Sequence, residues 1–239
     1  HCKYKNSPSP VLKINELDIN KGEIIFIIGA SGVGKSTILE TLGVMNNTIA
    51  AYNDSIFEFN YDENKYNMLD FWSKKEIEIA NFRKKFLSFI FQNTNLFSNL
   101  SAEDNVLITS LIQGDDIVTS KNITRKIIKK IFKPRDEYKE ILNDKKISEM
   151  SGGQRQRLAF VRAIATHYKI LLADEPTGNL DWANANTVLN HLFEDIRTKK
   201  ATAIIVSHDI HLAVNHADKI VYIDKSLDQE GNYFGNISN

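Results

Sequence analysis

Short apolar runs at 24–28, 87–91, 170–173, 203–206 and 220–223 set the rhythm of this chain. None alternates cleanly with polar residues. That is the pattern of strands buried on both faces of a parallel sheet. Between some of them the period becomes helical: residues 187–196 place Val188, Leu189, Leu192, Phe193 and Ile196 on one side, as an amphipathic helix requires. Strands alternating with helices predict an α/β protein with a mainly parallel core sheet.

Two regions depart from this rhythm. Residues 11–19 and 55–61 are strand-like with partial alternation, and "YDEN" before Lys65 reads as a turn. They predict a small N-terminal antiparallel β subdomain beside the main sheet. Residues 101–150 are mostly helical in pattern. Ser101 and Asp104 stand at capping-box-like spacing. "ITRKIIKKIF" carries Ile123, Ile127, Ile128 and Ile131 at helical intervals, and Pro134 ends that helix. This stretch predicts a helical subdomain inserted between two core strands.

The bulk numbers narrow the classes. A chain of 239 residues suits one large domain or two small ones. Thirty basic and thirty acidic side chains cancel, which argues against a dedicated nucleic-acid binder. A single cysteine, Cys2, excludes an internal disulfide and points to a reducing compartment. No apolar run approaches the length of a membrane span, and no signal pattern opens the chain. The reading is a soluble cytoplasmic protein. It starts at His1 rather than methionine, as expected if an upstream piece had been trimmed.

The chemistry sits where the apolar runs end. "GASGVGKST" follows the first run and leads into a helical pattern through Leu42. It matches G-x-x-x-x-G-K-[ST] at Gly29, Gly34, Lys35 and Ser36. Glycines let consecutive backbone N–H groups face one anion. Lys35 is a point charge for the outer phosphates, and the Ser36 hydroxyl is placed to ligate Mg²⁺. "KILLADEPTGNLD" ends an apolar strand in two acids. Asp174 is positioned to hold Mg²⁺, and Glu175 to act as general base toward an attacking water. Pro176 and Gly178 force a turn, and Asp181 follows it. "AIIVSHD" ends a third strand in His208, at the C-terminal strand edge where parallel sheets deliver ligand groups. A histidine there can bond a terminal phosphate. The rival reading is metal ligation with His211 and His216. No cysteine supports it, and those two look like faces of one surface helix.

"SEMSGGQRQRLAF" contains a second small-residue turn opening a helix, again an anion-binding device. Arg155 and Arg157 near that helix N-terminus oppose its dipole, at a cost of up to about 1 kcal/mol. They either recruit an anion or pair with neighbouring acids, and the sequence leaves both readings open.

In this order the motifs resemble the ATP-binding cassette (ABC) family of ATPases, over nearly the whole chain. The Walker A stretch is Gly29, Ala30, Ser31, Gly32, Val33, Gly34, Lys35, Ser36 and Thr37. Gln92 in "FIFQNTNLF" matches the Q-loop, and "MSGGQ" the signature with Ser151, Gly152, Gly153 and Gln154. "ILLADE" matches Walker B, "GNLD" the D-loop with Asp181, and His208 the switch histidine. "ADEPTGNLD" is further similar to the lipoprotein-releasing, macrolide-exporting and cell-division ABC ATPases.

The resemblance implies a P-loop NTPase core, ATP and Mg²⁺ as cofactors, and ATP hydrolysis. It makes Glu175, His208, Lys35 and Gln92 catalytic, and Ser36, Gln92 and Asp174 the metal-binding set. The Walker A stretch, Gln92, Asp181 and His208 would bind nucleotide, while Tyr4 in "CKYK" looks like the aromatic that stacks on adenine. The signature turn would grip the ATP of a second cassette, in a head-to-tail homodimer enclosing two ATP molecules. The membrane spans would lie on a separate permease chain, docked beside Gln92 near Asn95, Leu96 and Phe97. No nucleic-acid partner is implied. The location would be peripheral, on the cytoplasmic face of a bacterial inner (plasma) membrane. Residues 1–239 would form one nucleotide-binding domain: 1–92 and 160–239 as ATPase core with the antiparallel β subdomain, about 95–158 as the helical signature subdomain.

The chain departs from the family pattern at Met150, where leucine is usual. Both are unbranched at Cβ and similar in volume, so packing should survive. Residues 61–85 are less typical, with Ser73 and Glu76 spaced to cap a helix. DNA-repair and chromosome-organising relatives share the motifs but carry a long heptad-rich insertion, where this chain holds a modest helical segment. Translation-linked tandem proteins need a second cassette. Lipoprotein, lipid, peptide or drug export and transmembrane signalling without a cargo both remain open.

Overall fold

The run at 24–28 forms β2 (Ile24–Gly29), buried along its whole length. The remaining strands are β1 (Leu12–Ile14), β3 (Glu58–Tyr61), β4 (Asn64–Asn67), β5 (Leu87–Ile90), β6 (Ile170–Asp174), β7 (Thr202–Ser207), β8 (Lys219–Leu227) and β9 (Tyr233–Ile237). The helices are α1 (Lys35–Leu42), α2 (Glu76–Phe86), α3 (Ala102–Gln113), α4 (Ile117–Ile131), α5 (Tyr138–Ile141), α6 (Gly152–Ile164), α7 (Trp182–Lys199) and α8 (Ile210–His216). This computed structural model describes residues 1–5, 7, 9–49, 55–132, 136–178, 180, 182–228 and 232–237. The chain divides into two units, one of residues 1–19, 25–83 and 206–239, the other of 20–24 and 84–205.

In the first unit the strands run in the order β1-β9-β8-β2. β2 pairs in parallel with β8, Ile27 opposite Val221. β8 and β9 pair antiparallel, and β1 pairs in parallel with β9, Leu12 opposite Gly235. Residues 11–19 therefore do not pair with 55–61 as expected; only Leu12–Ile14 is extended as a strand, and Leu12 also bridges antiparallel to Cys2. Their strand partner, β9, is at the far end of the chain, which no local pattern could reveal.

β3 and β4 form a separate antiparallel pair. Its turn contains Asp62 at φ 51, in the left-handed region that Asp tolerates better than most residues. The Phe82 ring on α2 meets Phe59 at 5.2 Å, Tyr66 at 5.2 Å and Phe71 at 4.8 Å, each edge-on. Such pairs contribute about 0.5–1.5 kcal/mol each beyond burial, and they fasten the hairpin to α2. Ser73 does not cap that helix. It lies in a 3-10 turn, and its hydroxyl donates to Asp70 O at 2.6 Å. The 3-10 turn moves the helix start past it, and Glu78 accepts from Lys75 N instead.

In the second unit β7, β6 and β5 are neighbours in that order, β5 and β6 being parallel with Phe89 opposite Leu172. Helices α3 to α6 are inserted between β5 and β6, as the pattern predicts. Ser101 caps α3 by accepting from Asp104 N, and Asp116 caps α4 by accepting from Val118 N and Thr119 N. On α4, Ile128 and Ile131 are buried while Ile123 faces outward. That helix ends at Ile131; Pro134 lies outside the described residues. Val188, Leu189, Leu192, Phe193 and Ile196 of α7 are all buried. Among the described residues no helix is long and apolar enough to cross a membrane.

Candidate active site

The first unit builds the glycine-rich loop at 29–34. Gly34 is the N-cap of α1 at φ 95, a conformation that a residue with a Cβ rarely adopts. Ala30, Ser31, Gly32 and Ser36 are exposed, while Val33 and Thr37 are buried beneath them. The Lys35 ammonium folds across the loop and donates to Gly29 O at 2.9 Å and Ala30 O at 2.8 Å. A cation and a helix N-terminus thus share one small surface, which suits an anion.

The Tyr4 hydroxyl is held at the same helix. It bonds Thr37 Oγ1 at 3.1 Å and donates to Glu40 at 2.9 Å. Partial burial is the main reason its phenol lies above the ordinary value. The terminal segment is therefore fastened to α1, with Tyr4 still 36% exposed. His208 is exposed, one residue beyond β7. Its neighbour Asp209 donates from N to Ser207 Oγ and caps α8 by accepting from Leu212 N.

β9 supplies a support that no motif announces. The Gly235 N–H donates to Val11 O at 2.8 Å. A Cβ on Gly235 would stand 1.9 Å from the Val33 carbonyl oxygen, so only glycine allows this strand to pass so close behind the loop.

In the second unit Asp174 ends β6 and Glu175 follows at φ 45. This left-handed backbone is strained for a residue with a side chain. The turn is closed by Gly178 N donating to Glu175 O at 3.2 Å, and Asp181 lies outside the described residues. Gln156, fully buried on α6, donates to Pro176 O at 2.8 Å, tying this turn to the signature helix.

That helix opens with a reciprocal cap. Ser151 Oγ accepts from Gln154 N, and Gln154 Oε1 accepts from Ser151 N. Ser151 and Gly152 are exposed, and a Cβ on Gly152 would meet nothing within 4 Å, so the turn is open to an incoming group. Arg157 pairs with Glu137 at 2.6 Å, with side chains only 5% and 15% exposed. Its guanidinium lies 4.6 Å from the Phe132 ring centroid, and Glu137 also accepts from Gln154 Nε2. Arg155 donates to Met150 O at 2.8 Å. Of the two readings left open for the arginines, Arg157 takes the acid partner and Arg155 a backbone carbonyl. Met150 is buried, which fits a packing variant.

Gln92 is exposed just beyond β5. The loop after it is held from two sides. Arg162 on α6 donates to Asn95 O and Thr94 O, both at 2.7 Å. Asn105 on α3 is fully buried; its Oδ1 accepts from Phe97 N at 2.7 Å and its Nδ2 donates to Phe97 O at 3.0 Å. Beside this loop lies a groove of about 540 Å³ whose lining includes Gln92, Asn95, Leu96, Ile147, Gly152 and Arg155. Arg162, Asn105, Gln156 and Gly235 went unnoticed in the sequence. For Arg162 and Asn105 the available signal was a polar residue inside an apolar helical stripe.

The first unit thus brings Tyr4, Lys35 and Thr37 to one helix end, and the second brings Gln92, Gly152 and Arg155 around one groove. The family model described as ABC transporter matches residues 12–178. The chain is 34% identical over 203 residues to the lipoprotein-releasing system ATP-binding protein LolD of Myxococcus xanthus, covering 85% of this chain and 83% of that one. It is 34% identical to the bacitracin export ATP-binding protein BceA of Halalkalibacterium halodurans, covering 92% and 79%. Among solved structures, the dimeric ATP-binding cassette MJ0796, in a post-hydrolysis state with ADP and Pi, superposes with a TM-score of 0.74 at 28% identity, covering 92% and 90%. Motifs, fold and relatives agree: the chain belongs to the ABC transporter family, as an ATP-binding cassette that hydrolyses ATP.

Proposed function

We propose that this cassette powers an export-type membrane complex, binding ATP with Mg²⁺ and pairing head to tail with a second cassette around two ATP molecules. The observation that carries the nucleotide reading is the phosphate loop, where Gly34 starts α1 and the Lys35 ammonium lies against Gly29 O and Ala30 O. In this reading the Walker A backbone N–H groups and Lys35 grip the phosphates, and Tyr4 packs on the base. Exposed Ser36, Asp174 at its strand tip and Gln92 are oxygen donors of the kind Mg²⁺ takes; the ion, when bound, neutralises phosphate charge. Glu175 accepts the proton of the attacking water, and His208 bonds the terminal phosphate. Asp181 belongs to the cassette interface.

The signature turn serves the partner's ATP. Its exposed Ser151, open Gly152, Gly153 and the helix N-terminus behind them suit an anion brought by another molecule. ATP thereby closes the pair and phosphate release opens it, an equilibrium biased by ligand. The groove beside Gln92, with exposed Asn95 and Phe97, receives a segment of a membrane permease on a separate chain. In this reading the cassette works peripherally, at the cytoplasmic face of a bacterial inner membrane. Names such as lipoprotein release and bacitracin export among its relatives favour export over signalling.

The test is Glu175→Gln. It should bind Mg-ATP as the wild type does and turn over about 10²–10⁴-fold more slowly. Light scattering should then find it dimeric at saturating Mg-ATP and monomeric without. Unchanged turnover would remove Glu175 from the base role. A monomer at saturation would remove the shared sites.

A further inference from the structure

We infer that Arg162 is a positioning residue for the reaction: it locks the loop that follows Gln92 onto the signature helix, so that loop and helix move as one body. The inference rests on the reading of Gln92 as part of the hydrolytic site.

Neighbouring carbonyls on an extended strand point to opposite sides. Those of Thr94 and Asn95 instead converge on one guanidinium, each at 2.7 Å. The left-handed backbone at Asn95, φ 49, accompanies this convergence. The planar fork of an arginine presents two donors side by side, which a lysine cannot do.

Arg162 is only 9% exposed. Burial holds its pKa below the ordinary arginine value, and among the described residues no carboxylate pairs with it. A group that merely filled space would do so at lower cost as an apolar side chain. The charge is kept where burial penalises it, and two of its nitrogens donate to this loop.

The helix that carries Arg162 begins at the signature turn. Gly152 and Arg155 from its first turns line the same groove as Gln92, Asn95 and Leu96. At the loop's other end Asn105 holds both backbone polar groups of Phe97. A displacement imposed at the groove is thus passed to Gln92 and to the signature turn together. Without Arg162 the loop can shift alone.

The test is a double-mutant cycle on ATP turnover, with Arg162→Met, Gln92→Ala and the double variant. Arg162→Met should lower kcat by about tenfold or more while KM for ATP stays within about twofold, because the phosphate loop is untouched. The double variant should turn over no more slowly than Gln92→Ala alone, because Arg162 acts through Gln92. Arg162→Lys, which keeps the charge but lacks the fork, should fall between wild type and Arg162→Met. Multiplicative losses in the double variant, or a rise in KM matching the fall in kcat, overturn the proposal. If Gln92→Ala alone leaves turnover unchanged, the catalytic reading of Gln92 fails, and amide exchange then judges Arg162 separately. Exchange at 93–96 at least about tenfold faster in Arg162→Met and in Arg162→Lys, with α6 as protected as before, supports the lock. Unchanged exchange in both variants overturns it.

Discussion

A single methyl group at Gly235 probes how the phosphate loop is held. In Gly235→Ala the new Cβ would stand 1.9 Å from Val33 O, 2.8 Å from Ile223 Cγ2 and 3.0 Å from Leu12 Cδ1. The two side-chain atoms can rotate away, but the carbonyl is backbone. To restore a contact of ~3.5 Å, strand and loop must separate by ~1.6 Å. The loop has little room to yield, because the Cβ position of Gly34 already lies 3.3 Å from Leu12 Cβ. Overpacking of this kind costs about 1–3 kcal/mol, which lowers the melting temperature by roughly 2–12 °C for a chain of this size. A shift of that size also exceeds what a hydrogen bond tolerates. At least one charged contact to the phosphates should be lost, about 1.5–3 kcal/mol, or roughly a ten- to hundredfold weaker Kd for ATP. Isothermal titration with ATP in a Glu175→Gln background, beside a thermal melt, reads both quantities. A lowered melting temperature with an unchanged Kd would refute the reasoning, because the strain would then not reach the loop.

Other perturbations are simpler. Lys35→Ala should weaken ATP binding by about 1.5–3 kcal/mol, the contribution of a charged hydrogen bond, in the same titration; equal affinity would sink the assignment. Asn105→Ala removes both bonds to Phe97 and the one to Ser101 O. It should lower the urea midpoint by an amount equivalent to about 1–3 kcal/mol, and an unmoved midpoint would mean that water replaces the side chain. Tyr168 donates to Asp195 at 2.6 Å, and burial followed by that carboxylate holds its phenol far above the ordinary range. A raised acid keeps its proton in the folded state, so this contribution to stability is present below about pH 10 and is lost as pH rises further. Tyrosinate absorbance titrations of wild type and Tyr168→Phe should therefore coincide until alkaline unfolding. One ionisation fewer near pH 10 in the variant would refute the burial argument.

The parts of the candidate site to which the sequence points are those whose chemistry is local. Gly29, Gly34, Lys35 and Ser36 need only a strand before them and a helix after them, and the turn geometry then follows from the glycines. Asp174 and Glu175 are legible for the same reason. Arg155 and Arg157 were not, because their roles depend on what lies across from them. Arg157 meets Glu137, twenty positions earlier in the chain, and no spacing rule connects the two. Ser73 misled because a 3-10 turn and a helix start share the same polar residues.

The sequence by itself determined that the central strands β2, β6 and β7 would be largely buried, that helices would lie between strands, and that glycine-containing turns would sit at strand and helix ends. These follow from apolar periodicity and from glycine, which act within a few residues. The run at 220–223 departs from this, because Ile220 and Tyr222 of β8 stand 46% and 56% exposed. Tertiary structure alone decided that β1 runs parallel to β9, that Gly235 stands behind Val33, and that Arg162 spends its charge on the carbonyls of Thr94 and Asn95. Pairing direction, close approach and the destination of a buried charge are set by whichever distant segments packing brings together, and a burial penalty has no sign in the sequence until its partner is in place.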